Sequence, residues 1–138
     1  MENKIKHLEM IESIVERMAK NSFQLKEWTV SIVVLAGTLG SFESDKRFLL
    51  ISFLAIILFW YLDSFYLKQE RRYRALYDAV TRKQEKDIDF NLDTRKIEIS
   101  AEDRKNNSLI LCAFSPSEMF YPGLAFALVL LVLIIKGV

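Results

Sequence analysis

The sequence is poor in the residues that usually build chemistry. It holds one histidine, His7, and one cysteine, Cys112, so no disulfide can close within the chain and no His/Cys set stands at the spacing of a protein-built zinc site. Its four glycines, at 37, 40, 123 and 137, all fall in or beside apolar stretches, which excludes a Gly-rich phosphate loop. A single histidine near the N-terminus and the lack of an acyl-enzyme motif leave nucleophilic catalysis without support. The chain therefore reads as non-enzymatic and without a cofactor. An excess of one charge is missing too: 19 basic residues face 18 acidic ones, so no nucleic-acid footprint is expected. Only two prolines occur, Pro116 and Pro122, and nothing before residue 116 forces a helix to stop.

Long apolar runs are abundant. Half of the 138 residues are apolar, and they gather into blocks that charge barely enters, whereas a soluble domain spaces its apolar positions periodically. Residues 28–42 form an uncharged block that is short, as a helix, for a hydrocarbon core of ~30 Å. Residues 48–67, broken only by Asp63, are long enough to cross, and residues 119–135 are marginal in length but very apolar. No apolar leader with a small-residue cleavage site precedes Trp28, so a cleaved signal peptide is not expected. The expectation is an all-α membrane protein. Residues 1–86 form a long antiparallel helical hairpin that extends into the cytoplasm, residues 87–117 a short extended or β-like cytoplasmic connector, and residues 118–138 a third, C-terminal transmembrane helix.

Basic residues set the orientation. Sixteen of the nineteen lie in residues 1–27 and 68–118, so a cytoplasmic N-terminus and a periplasmic C-terminus in a bacterial inner membrane follow from three spans. Leu8, Ile11, Val15, Met18, Ser22 and Leu25 recur at helical spacing, and neither proline nor glycine interrupts residues 1–36, so the first span should continue a long helix. Residues 69–82 are equally free of breakers and should extend the second. With the hairpin tip near residues 44 and 45, partners across it have numbers that add to about 89, which sets Lys26 opposite Asp63 and Glu16 opposite Tyr73. Arg17 falls opposite Arg72 in the same register.

Asp63 demands an account, because an acid at the centre of a membrane helix costs about 2.5 to 3.5 kcal/mol on insertion scales. It reads either as an ion-pathway residue or as the partner of Lys26, and the register favours the pair. Trp28, Trp60, Tyr61, Phe65, Tyr66 and Tyr73 gather at one boundary like an interfacial belt. Lys68, Arg71, Arg72 and Arg74 read as a lipid-phosphate-facing flank, with an anionic nucleotide as the sharper alternative ligand. Ala36, Gly37 and Gly40 are small enough to let a neighbouring helix approach. Residues 87–93 and 96–100 alternate polar with apolar, which suggests two short strands or an extended connector. Residues 108–114 are too short to span and suit the interface, ahead of Pro122 in the first turn of the last helix.

Residues 59–78, with Asp63, Tyr66, Gln69, Glu70 and Arg71 in the pattern Leu-Asp-x-Tyr-Tyr-Leu-x-Gln-Glu-Arg, resemble a group of small bacterial membrane proteins; Phe65 stands in the first aromatic place. The likeness extends to Met18-Ala-x-Asn-Ser-Phe23, the hairpin and the closing apolar helix. More loosely, the architecture resembles the two-helix SLATT membrane effectors of nucleotide-signalling and antiphage systems, from which the third span departs. The resemblance implies a homo-oligomer in the lipid bilayer that breaches the barrier on activation, with a separately encoded defence partner. Two alternatives stand beside it: a membrane anchor or regulatory subunit that docks a partner through residues 87–106, and a small solute channel.

Overall fold

The computed structural model describes residues 1–43, 46–95 and 108–135. Among these the regular structure is helical. Helix α1 spans Glu2–Glu43 and α2 spans Lys46–Arg82. A 3-10 turn follows at Glu85–Asp87, then a short α3 at Leu109–Ala113 and α4 at Phe120–Ile135. The unbroken length of α1 and α2 follows from the absence of proline, and each is one helix through its apolar and its charged half. One of them, α2, carries a segment long and apolar enough to cross a membrane, while Phe120–Leu131 is a shorter apolar helix.

The chain groups into two compact units, each built from parts of both long helices. The first takes Met1–Ser22 and Phe65–Cys112. Its core is Ile11, Leu76 and Val80, with Leu8, Val15, Tyr73, Tyr77, Ile88 and Leu92 against it. Leu8, Ile11 and Val15 are the spacing-of-three-and-four stripe of α1, so periodicity becomes packing here. At the end of α2, the Lys4 ammonium donates to the carbonyls of Thr81 and Lys83 at 2.7 and 2.9 Å. It thereby satisfies acceptors that the helix terminus leaves open.

Residues 88–93 of this unit correct the β-like expectation, because no strand forms among the described residues. Asn91 N–H donates to Asp89 Oδ1, Asp93 N–H to Asn91 Oδ1, and Arg95 N–H to Asp93 Oδ1. Each acidic or amide side chain binds the backbone two residues on, so the alternation that mimics a strand is a relay of Asx turns. Of the intervening apolar residues, Ile88 and Leu92 meet the core, while Phe90, held at φ 50°, stays exposed with its ring 5.5 Å from that of His7. The second alternation, residues 96–100, lies outside the described residues, as does the hairpin tip at 44 and 45.

The second unit takes Phe23–Ser64 and Ala113–Val138. Val33, Ile56, Tyr121 and Leu128 form its core, one residue each from α1 and α2 and two from α4, with Leu49, Phe53, Phe59, Trp60, Leu124 and Ala125 around them. α4 starts at Phe120, two residues later than expected, because Ser115–Glu118 makes a turn closed by Glu118 N–H on the Ser115 carbonyl at 2.9 Å. Pro122 stands in the first turn of α4, where its missing N–H deprives the helix of no bond. Residues 109–113 form α3, begun by Ser108 Oγ, which accepts from Leu111 N–H at 3.3 Å.

Candidate functional site

Three elements of the second unit bring polar groups to one buried place. Lys26 on α1 has six residues between it and Val33 of the core, and its ammonium pairs with Asp63 Oδ2 on α2. Asp63 is fully buried, and its Oδ2 also accepts from the Tyr121 hydroxyl at 3.0 Å. Glu118, in the turn before α4, is buried too, with Oε1 at 3.7 Å from the same ammonium. Lys26 Nζ stands 5.8 Å from the centre of the Tyr121 ring. Asp63 and Glu118 therefore share one ammonium. One cation, two acids and a phenol thus form a single cluster.

The surroundings fix these groups in place. Trp60, one helical turn before Asp63, donates its indole N–H to the Ala113 carbonyl at 3.0 Å and meets Phe114 edge-on at 5.7 Å. That holds the start of the 113–118 segment against α2. Ser115 Oγ and Ser117 Oγ are 3.1 Å apart, and Ser117 Oγ donates to Glu118 Oε1 at 3.4 Å. Thr29 and Ser64, both buried, return their hydroxyls to the carbonyls of Leu25 and Trp60 at 2.7 Å each, which satisfies them within their own helices. Two oxygens remain without a hydrogen-bond partner, Asp63 Oδ1 and Glu118 Oε2.

The other residues singled out in the sequence do not converge. Arg74 binds Glu70 one turn earlier on α2, at 2.8 and 2.9 Å. Arg71 points Nη1 toward the buried Cys112 Sγ at 3.7 Å. Lys68 and Arg72 are partly buried along the same helix. Ala36 is buried within the second unit, whereas a Cβ on Gly37 would meet nothing within 4 Å, so packing inside the chain does not require that glycine. Gly40 has no described surroundings. His7, in the first unit, is fully buried with neither ring nitrogen hydrogen-bonded.

Glu118 and Tyr121 are the members that sequence reasoning missed. A signal existed, since Glu118 is the only charged residue between Lys105 and Lys136 and immediately precedes an apolar helix. No protein family, curated protein or solved structure matches this chain.

Proposed function

We propose that this protein is a bacterial inner-membrane effector of antiphage defence that assembles with copies of itself and breaches the membrane barrier when triggered. In this reading three helical segments cross the bilayer as a hairpin plus a last helix, with the N-terminus in the cytoplasm and the C-terminus in the periplasm.

One observation carries the membrane part. In the second unit Asp63, Glu118, Thr29, Ser52, Ser64 and Ser115 are buried, while Trp28, Leu35, Leu50, Leu54, Leu58, Phe126 and other large apolar residues are exposed. Leaving one such side chain in water forfeits about 1.5–3 kcal/mol relative to burial, so the exposed set represents tens of kcal/mol. Hydrocarbon is a cover that removes that cost. The basic residues of the charged segments would then face anionic lipid. The effector role rests on the resemblance around Asp63 to Arg71 together with the absence of catalytic groupings in the sequence.

The test is membrane potential, read with a voltage-sensitive dye in phage-infected cells with and without the protein. Depolarisation on infection that requires the protein is the expected result. An unchanged potential, with infection proceeding identically in both strains, would overturn the effector role in favour of a membrane anchor for another protein.

A further inference from the structure

The Asp63–Glu118 pair poses a problem of hydrogen-bond chemistry. The two carboxyl groups meet at the same Lys26 ammonium, both residues are essentially fully buried, and among the described residues Asp63 Oδ1 and Glu118 Oε2 have no hydrogen-bond partner. Two ionised carboxylates cannot bond to each other, because each is an acceptor only. The charges do not balance either. Among the described residues, Lys26 from α1, Asp63 from α2, Glu118 from the turn and the neutral Tyr121 from α4 are the charged and titratable groups that meet there, and full ionisation of these leaves one uncompensated negative charge. A buried unpaired charge is among the costliest arrangements a protein can hold.

We propose that Asp63 and Glu118 form a proton-binding site that holds one proton between them at neutral pH. The proton comes from solvent and converts one carboxylate to a carboxyl group, whose O–H is the donor the pair lacks. The cluster is then neutral, with one ammonium against one carboxylate. A metal cation fits the same charge but not the same surroundings: a hard cation needs a shell of about six or more oxygens, and here Lys26 and Tyr121 already occupy Asp63 Oδ2.

The site joins the turn before α4 to the middle of α2, so occupancy bears on how α4 is held. With the proton bound, Glu118 and Tyr121 both anchor to Asp63. Its loss puts two negative charges side by side in a buried place and drives Glu118 away from α2. If the chain is a barrier-breaching effector, this release is its built-in trigger, a clause that rests on the function proposed above. The proton site itself rests only on the cluster.

Infrared spectroscopy of the full chain in lipid vesicles tests it. The expected spectrum at neutral pH contains a neutral-carboxyl stretch that is lost in Glu118→Gln and retained in Glu12→Gln, an exposed-site control. Alkaline titration of the unmodified chain should remove that band with release of one proton per chain, which gives the same reading should the variant fail to fold. No neutral-carboxyl band at neutral pH overturns the proposal, as does a band that appears only when sodium is withheld, the mark of a metal-cation site. A band that behaves as expected in a protein that leaves the membrane potential of infected cells untouched upholds the proton site and overturns the effector role.

Discussion

Lys26, Asp63 and Tyr121 divide the work of burying a carboxylate, and their substitutions should differ in kind. Lys26→Met removes the cation and leaves Asp63 and Glu118 buried without it, which should lower stability by about 3–5 kcal/mol. Denaturant unfolding in a mild detergent reads this. The double variant Lys26→Met/Asp63→Leu should recover most of the loss, because it removes both charges and keeps the volume; equal stability of Lys26→Met and the unmodified chain would show that the ion pair contributes nothing. Tyr121→Phe keeps the ring in the Val33–Ile56–Leu128 core and deletes only the hydroxyl that donates to Asp63. Its expected cost is about 1.5–3 kcal/mol, the range for a hydrogen bond to a charged group, in the same assay. His7 behaves oppositely. Its buried ring nitrogens have no partner, so His7→Leu should raise stability by about 1–3 kcal/mol, and a loss of that size would reveal a partner for the ring.

Among the elements, the two long helices were legible and the connector was not. Lys26 and Asp63 could be set opposite each other by counting because no proline bends either helix, so the register propagates from the tip without error. Glu118 resisted the same counting, since the turn at Ser115–Glu118 breaks the helical period and an acid in a turn has no face to be counted on. At residues 87–93 only the strand alternative failed, for a different reason. Polar-apolar alternation has the period of a strand, but when the polar residues are Asp and Asn the side chains can bind the backbone two residues on, and an Asx relay shares the period. Burial raises the Asp89 carboxyl pKa, and the Asn91 N–H and Lys83 ammonium overcome this and hold it below the ordinary aspartate value. Because the folded value is the lower one, the bond's contribution is complete above the unfolded pKa and fades as pH falls through the folded one. The Asn91 amide resonance, followed by NMR on acidification, should therefore shift only below the usual aspartate range. In an Asp89→Ala variant it should not shift with that titration at all.

At the scale of the whole molecule, the proposed function requires lipid around the exposed apolar surface of the second unit. Its buried Asp63 and Glu118 beside an exposed apolar surface are the reverse of what water selects. Segregated apolar blocks in the sequence match the one helix among the described residues, α2, that is long and apolar enough to cross a membrane. The inward placement of Asp63 and Glu118 required the packing of three elements.

The most direct test is topology by cysteine labelling in intact cells, on a Cys112→Ser background. A single cysteine at Ser44 and, separately, one at Lys136 should each react with a membrane-impermeant maleimide added from outside. One at Glu12 should react only after the cells are opened. Labelling of Glu12→Cys in intact cells, or protection of both Ser44→Cys and Lys136→Cys, would contradict the three-span membrane reading on which the account depends.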